Sequence, residues 1–238
     1  MPSEIPQPKP ASTVVLLRDT DSGLETLLLK RNKALMFAGG MWVFPGGAID
    51  PDDIAQAGDD EELAARIAAA REAKEESGLQ PRVEDMLEIS HWTTPEAEPK
   101  RFSTWIYAAP VDGDTEVVID GGEIHHFRWM LIKNAIRAHE QGDMGMFPPS
   151  YLTLRILSRY NSIAEVFAGE ASRTPYRVLP VFHHEPATGE LFALFPGDGG
   201  YETGDTSLTE PTHRIVFCGK RWTYIRDNVP EYFPSLDK

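Results

Sequence analysis

Residues 61–77 run without a glycine or a proline, and alanine, glutamate, arginine and lysine fill most of the positions. Such a run predicts one long helix over Glu61–Ser77. Asp59 or Asp60 is placed to cap its N-terminus, and Gly78 stands where a C′ glycine belongs. Glu72, Glu75 and Glu76 lie at i, i+3 and i+4, so they share one side of that helix. Three carboxylates on one stripe repel each other, and the spacing by itself is destabilising. Something positive has to face them. Hard divalent cations with a preference for oxygen, Mg²⁺ or Mn²⁺, meet that need, and Arg71 can pair with a nearby carboxylate and fix its rotamer. The plain alternative is a solvated acidic face. The context argues against it: a Gly46-Gly47 bend lies upstream, Arg71 precedes the first glutamate, and Gly78-Leu79 closes the helix.

At 238 residues the chain corresponds to roughly 1.6 typical domains, one large domain or one domain with a substantial extension. It carries 23 Lys and Arg against 37 Asp and Glu, a net charge of −14. A surface that acidic is a poor partner for a phosphate backbone or an anionic membrane, so neither nucleic acid nor membrane is expected. A phosphorylated substrate would need a local Arg/Lys cluster or bound divalent cations. Cys218 is the one cysteine, which excludes an intrachain disulfide and fits a reducing compartment; a cytoplasmic location is the expectation. No apolar run approaches the roughly 20 residues of a membrane span, and residues 1–12 read as a loose proline-bearing arm with no secretory signal.

Val14–Leu17 and Leu24–Leu29 read as strands of a hairpin around the Asp19–Gly23 turn. Phe44–Gly47 reads as a rigid bend and Asp50–Asp60, with five aspartates, a proline and a glycine, as a solvated loop. Strands are expected at Met86–Trp92, Ser103–Ala109 and His125–Met130, with a short one at Val117–Ile119 before the Gly121-Gly122 turn. A helix is expected over Leu131–Gln141, and Phe147-Pro-Pro149 opens a longer one over Ser150–Ala168. Strands return at Arg177–Phe182, Leu191–Phe195 and Arg214–Cys218, followed by an aromatic-rich surface stretch, Arg221–Phe233. The pairs His125-His126 and His183-His184 place adjacent residues on opposite strand faces and lack a third ligand, so zinc is not expected. Cys218 reads as a core residue. Phe195–Gly200 is a tight turn and not a phosphate loop, because no Lys-Ser/Thr follows.

The stretch Arg71, Glu72, Ala73, Glu75, Glu76, Gly78, Leu79 resembles the second half of the Nudix hydrolase box, G-x5-E-x7-R-E-U-x-E-E-x-G-U, where U is aliphatic. Gly46 or Gly47 resembles the opening glycine. From Gly47 to Arg71 the spacing is 24 where the box has 14, so about ten residues are inserted, within Pro51–Asp60. Counted back from Arg71, the box's middle glutamate falls on Leu63, with Glu61 and Glu62 close but out of register. The resemblance implies an α/β fold: an α/β/α sandwich around a mixed sheet, with the box as a loop–helix–loop holding divalent metal over a diphosphate. It implies a Nudix domain over 13–145, with a C-terminal helix and strand extension over 146–238 packed on it. By the same resemblance Glu72, Glu75 and Glu76 are metal ligands, and Glu123, six residues before Trp129, supplies another ligand or the base. Glu72 is the first choice of base and Glu123 its rival. Arg71 orients the carboxylates, Gly46 and Gly47 let the backbone approach metal or phosphate, and Arg31 and Arg101 are candidates to grip phosphates.

Two further stretches, Trp92–Pro95 with Lys100–Thr104, and Phe147–Pro149 with Leu152–Leu157, are similar to the branch that holds the peroxisomal coenzyme A diphosphatases. Leu27–Arg31, Gly40 and Phe44–Gly47 resemble the coenzyme A-associated motif L-L-T-x-R-[SA]-x3-R-x3-G-x3-F-P-G-G, departing from it at Leu29, Asn32 and Met36. That branch implies cleavage of coenzyme A or an acyl-coenzyme A to 3′,5′-ADP and (acyl-)4′-phosphopantetheine, with Met36, Phe37, Met41 and Trp42 as candidates for the pantetheine channel. ADP-ribose, NADH or a dinucleoside polyphosphate is the alternative substrate. A non-catalytic Nudix-fold nucleotide-binding regulator is the alternative from another class. The expected partner is a small nucleotide-containing diphosphate; oligomeric state is left open, a homodimer included.

Overall fold

A computed structural model describes residues 5–34, 38–112, 115–186, 188–218 and 221–229. The described residues fall into two compact units. The larger takes Pro10–His91 and Thr104–Pro175; the other takes Met1–Lys9, Trp92–Ser103 and Tyr176–Lys238. The sequence reading placed a boundary at 145/146, whereas the larger unit runs through that point to Pro175.

The larger unit is built on a mixed sheet. Strand β1 (Lys9–Thr20) turns at Gly23 into β2 (Gly23–Arg31), with Leu17 opposite Thr26 and Thr20 opposite Gly23. The glycine at the turn has φ +118°, which a side chain would resist. The strand β1 already begins at Lys9, so the last residues of the expected arm are sheet. Two short strands bracket Phe44-Pro45: β3 (Trp42–Val43) pairs with Leu29 and Lys30 of β2, and β4 (Gly46–Ala48) pairs with Ala11–Thr13 of β1. The expected rigid bend is therefore confined to the residues between these strands.

After β4 the structure departs from the sequence reading. Pro51–Ala57 is a helix, α1, and not a solvated loop. Proline is favoured in a first turn, the Asp50 N–H donates to Asp53 Oδ2 at 2.9 Å, and Gly58, at φ +67°, ends the helix. Next comes α2 (Glu61–Ser77), where the sequence put it. Asp60 caps it, its Oδ1 accepting from Leu63 N at 2.9 Å. Gly78 closes it in the left-handed region with its N–H on the Lys74 carbonyl. The buried side of α2 is almost all alanine: Ala64, Ala65, Ala68, Ala69, Ala70 and Ala73. Small side chains let the helix sit close to the sheet: Ala65, Ala69, Ala70 and Ala73 form one core with Val14, Leu16, Leu27, Leu29 and Tyr107.

A single 3₁₀ turn at Val83–Asp85 leads to β5 (Leu87–Thr93) and β6 (Phe102–Pro110), and the sheet order is β3-β2-β1-β6-β5. Val117–Ile119 is not a strand; the Val118 N–H instead donates to the Ser77 carbonyl beyond the end of α2. Strand β7 (Ile124–Leu131) pairs along β2 from Glu25↔Leu131 to Arg31↔Ile124, with a bulge between Lys30 and Arg31. Helix α3 (Ile132–Glu140) follows. The expected long helix is two: α4 (Pro148–Leu157) and α5 (Ile163–Glu170). The break falls where Ser162 turns into an N-cap, its Oγ accepting from Glu165 N at 3.2 Å.

The second unit holds β8 (Tyr176–Val178), β9 (Val181–His184), β10 (Leu191–Leu194), β11 (Thr212–Cys218) and β12 (Arg221–Asp227). The last four form an antiparallel sheet in the order β12-β11-β10-β9. Pro180 interrupts what the sequence suggested as one strand, and residues 221–227 of the aromatic-rich stretch are an edge strand. Phe195–Gly200 is a turn organised by Asp198. That carboxylate is buried and accepts two bonds from Arg214 and one from His213 N, each at 2.7 Å. Cys218 is exposed, contrary to a core role.

Candidate active site

The C-terminal half of α2, the β4 strand and the facing ends of β2 and β7 bring most of the expected site residues together. Arg71 lies at the centre. Its Nε and Nη2 donate to Asp53 Oδ1 and Oδ2 at 3.1 and 2.9 Å, a bidentate pair. Its Nη1 donates to Glu72 Oε1 at 2.9 Å and to Glu75 Oε2 at 3.4 Å. Nη2 also reaches the Ala48 carbonyl at 3.0 Å. One guanidinium thus ties α1, β4 and two glutamates of the stripe to one point. Burial alone would push the Asp53 carboxyl up, but Arg71 and the Asp50 N–H outweigh it and hold it below the ordinary aspartate value. The hydrogen bond to Asp53 holds Arg71 firmly charged, with Glu72 adding to it.

The sequence reading missed Asp53. Counting back from Arg71 led to Leu63; counting forward from Gly47, the box's G-x5-E spacing lands on Asp53. The extra residues therefore lie between Asp53 and Arg71, and the acidic position of the box is kept by an aspartate. Neither Glu61 nor Glu62 fills it: Glu62 pairs with Arg66, and both stand in the first turn of α2.

Glu76 is buried and faces the end of β2. Gly46 N donates to its Oε2 at 3.0 Å, and Arg31 Nη1 lies 4.0 Å from Oε1. Arg31 also donates from Nη2 to Glu123 Oε2 at 3.1 Å, so it spans two of the expected ligands. Burial drives the Glu76 carboxyl up to about 8; repulsion from Glu72 and Glu123 adds to this, while the Gly46 N–H and Arg31 oppose it. Glu72 is also raised, first by burial and then by Glu75 and Asp50, with Arg71 countering. Gly47 is packed against Glu72: a Cβ there would lie 2.6 Å from the Glu72 Cδ. Gly46 is equally closed, since a Cβ would fall 2.5 Å from the Ser12 carbonyl oxygen. These two glycines are needed for close approach, one to a carboxylate and one to β1.

Glu123 sits on a loop held by a residue the sequence reading did not single out. Asp120 accepts from the N–H groups of Gly122, Glu123 and Ile124 at 3.1, 2.8 and 3.0 Å. Burial raises its carboxyl, but those bonds outweigh it and hold it below the ordinary value. An aspartate ahead of Gly-Gly is an Asx-turn signal that the sequence does carry. Thr13 plays a similar part for β4, donating to the Pro45 carbonyl at 2.6 Å. Arg101 is not part of this cluster. It is buried in the second unit, where Nε donates to the Thr94 carbonyl at 3.0 Å and Nη1 to the Pro6 carbonyl at 2.9 Å. Met36 and Phe37 lie outside the described residues.

Six carboxylates, Asp50, Asp53, Glu72, Glu75, Glu76 and Glu123, therefore gather around two guanidiniums, Arg31 and Arg71. The donors are all oxygens, which suits a hard divalent cation. Among the described residues no three acidic or histidine side chains close into a cage by themselves. An open-sided arrangement fits Mg²⁺-like ions, which take one or two carboxylates and complete their shell with water and substrate phosphate oxygens. The elevated carboxyls of Glu72 and Glu76 are the electrostatic sign of the same fit, because a cation would relieve them.

The comparisons agree with this geometry. The NUDIX domain model matches residues 8–149. The Caenorhabditis elegans protein named "Putative nudix hydrolase 7" is 25% identical over 86% of this chain and 78% of its own. A crystal structure of a NUDIX hydrolase from Alicyclobacillus acidocaldarius superposes with a TM-score of 0.63 at 20% identity, covering 69% of this chain and 97% of that one, which supports the fold. With the acidic helix, its arginine clamp and the glycine strand all inside the matched region, the chain belongs to the Nudix family.

Proposed function

We propose that this Nudix hydrolase cleaves the diphosphate of a nucleotide joined to another moiety, with a divalent cation, Mg²⁺ or Mn²⁺, held by Glu72, Glu76 and Glu123 and supported by Glu75. The observation that carries the proposal is the gathering of those carboxylates at the glycine strand β4, with Arg31 and Arg71 as their only close cations among the described residues. A bound cation supplies neutralisation of the charge that develops on the phosphorus oxygens and acidifies a water. The rest falls to the chain. Glu72, raised by burial, takes the proton of the attacking water and is better matched to neutral pH than an exposed glutamate. Arg71 fixes the Glu72 rotamer against Gly47, so the acceptor oxygen does not wander. The Glu123 loop, pinned by Asp120, closes the site from β7 and is the alternative proton acceptor. Arg31, which lies beside Glu76 and Glu123, would grip a substrate phosphate if a cation took its place between those carboxylates.

Coenzyme A or an acyl-coenzyme A is the substrate we put first, on the strength of the Leu27–Arg31, Gly40 and Phe44–Gly47 stretch. Arg101 drops out of that argument because its guanidinium is committed to backbone carbonyls. The test is kcat/KM for coenzyme A, acyl-coenzyme A, ADP-ribose, NADH and diadenosine polyphosphates with Mg²⁺ or Mn²⁺, and an EDTA control. Metal-dependent cleavage at the diphosphate is expected, with Glu76→Gln at least about 10²-fold slower in kcat. No turnover of any member overturns the diphosphatase proposal; coenzyme A species more than about tenfold worse than another member overturn the substrate alone.

A further inference from the structure

The face of β2 opposite Arg31 carries a second cluster. Lys30 pairs across the sheet with Trp42 on one side and His126 on the other, and Leu28 pairs with Arg128. Partners and alternate residues share a face, so Lys30, Trp42, His126 and Arg128 lie together. The Trp42 ring is buried, and three basic side chains surround it. Lys30 Nζ and Arg128 Cζ each lie 5.4 Å from its centroid, and the His126 ring lies 5.8 Å away. Among the described residues neither Lys30 nor Arg128 has a carboxylate within 4.0 Å. That is unexpected in a chain with 37 acidic residues against 23 basic ones. Cation–π contact holds two like charges over one ring, but it does not remove their repulsion. An anion between them does.

We infer that Lys30, Arg128 and His126 form a phosphomonoester site, which takes a phosphate carried on the nucleotide apart from the diphosphate that is cut. The inference rests on the diphosphatase proposal and deepens it. Arg31 is the last residue of β2 and Glu123 directly precedes β7. Arg31, on the face of the acidic cluster, and Lys30, on the opposite face, are therefore neighbours at the end of one strand. In the proposed binding mode the diphosphate faces Glu76 and Glu123, and the nucleotide carries its 3′-phosphate round the end of β2 to Lys30 and Arg128. A dianion needs convergent donors there: an ammonium, a guanidinium and an imidazole offer them from three positions.

The test compares coenzyme A with dephospho-coenzyme A, which differ only by the 3′-phosphate, in wild type, Lys30→Gln and Arg128→Gln. Arg82→Gln, at an exposed arginine paired with Glu84, is the control for loss of charge anywhere on the surface. Wild type is expected to favour coenzyme A by about tenfold or more in kcat/KM, mainly through KM. That ratio falls to within about twofold in Lys30→Gln and Arg128→Gln, and stays at the wild-type value in Arg82→Gln. In parallel, adenosine 3′,5′-bisphosphate and AMP are titrated into the full chain in EDTA. The bisphosphate binds tighter in wild type, and the two variants lose the difference. This second arm decides the inference even if no substrate turns over. A wild type with no bisphosphate preference, variants that keep it, or an equal loss in Arg82→Gln overturns the site. Thermal melts of all variants separate misfolding from loss of the anion.

Discussion

Gly47 is the position where a single atom matters most. The Glu72 carboxylate occupies the space a Cβ would take, so Gly47→Ala has to push either the β4 strand or the proposed base. Because β4 is paired to β1, the carboxylate is what moves. Gly47→Ala is expected to lower kcat at least about tenfold, as loss of a near-attack position does, while the melting temperature changes modestly; wild-type turnover in that variant removes Glu72 from its role. Glu76 gives a prediction of a different kind. Its ordinary value is 4.5 and its folded value about 8. With no cation bound, the raised value contributes stability that is fully present below 4.5 and is lost as pH rises through about 8. Burial is the largest cause of that value; of the groups facing it, Glu72 and Glu123 raise it further, while the Gly46 N–H and Arg31 lower it. In EDTA the melting temperature should therefore fall between about pH 5 and 8.5, and Glu76→Gln should flatten the fall. An unchanged slope in Glu76→Gln shows that other groups carry the dependence.

At the scale of elements, the Asp53–Arg71 ion pair ties α1 to α2. The Asp53 side chain is 1% exposed and that of Arg71 26%. Removing one partner of a fully buried pair costs about 3–5 kcal/mol, and partial exposure lowers that, so Asp53→Ala should cost about 2–3 kcal/mol and reduce kcat by freeing the Arg71 clamp. Adding two or three glycines after Gly58, where nothing packs near the would-be Cβ, should cost under about 1 kcal/mol, because loop closure grows slowly with length. Chemical denaturation of both variants checks the contrast; equal costs show that α1 is merely tethered. The same contact explains what could and could not be read in the sequence. The α2 helix was legible to its end residues because its composition, cap and terminal glycine are all local. The α1 helix was not, since a short acidic segment beginning with proline has the composition of a loop, and what holds it is an arginine 18 residues further on. The acidic stripe and Glu123 were picked out by resemblance as candidates for the site, but the pairing of Arg31 with Glu123 spans 92 residues and is set by sheet register. The break between α4 and α5 was missed because Asn161-Ser162 suits a helix surface as well as a cap.

At the scale of the molecule, the family match and the folding unit do not end together. The match stops at residue 149, while the larger compact unit runs to Pro175. The difference is filled by α4 and α5. Helix α4 alone buries Tyr151, Leu152, Leu154, Ile156 and Leu157, each at 4% exposure or less. Burying one such side chain is worth about 1.5–3 kcal/mol, so five of them match the roughly 5–15 kcal/mol by which a whole domain is stable. The match boundary thus cuts through the core. A chain ending at residue 149 should be insoluble or should melt without cooperativity, and should be inactive even though every proposed ligand is present. Circular dichroism melts of that truncation beside the full chain decide it. A cooperative transition within about 5 °C of the full chain, a shift of about 1–2.5 kcal/mol at this size, would show that α4 is an addition to the hydrolase and not part of its core.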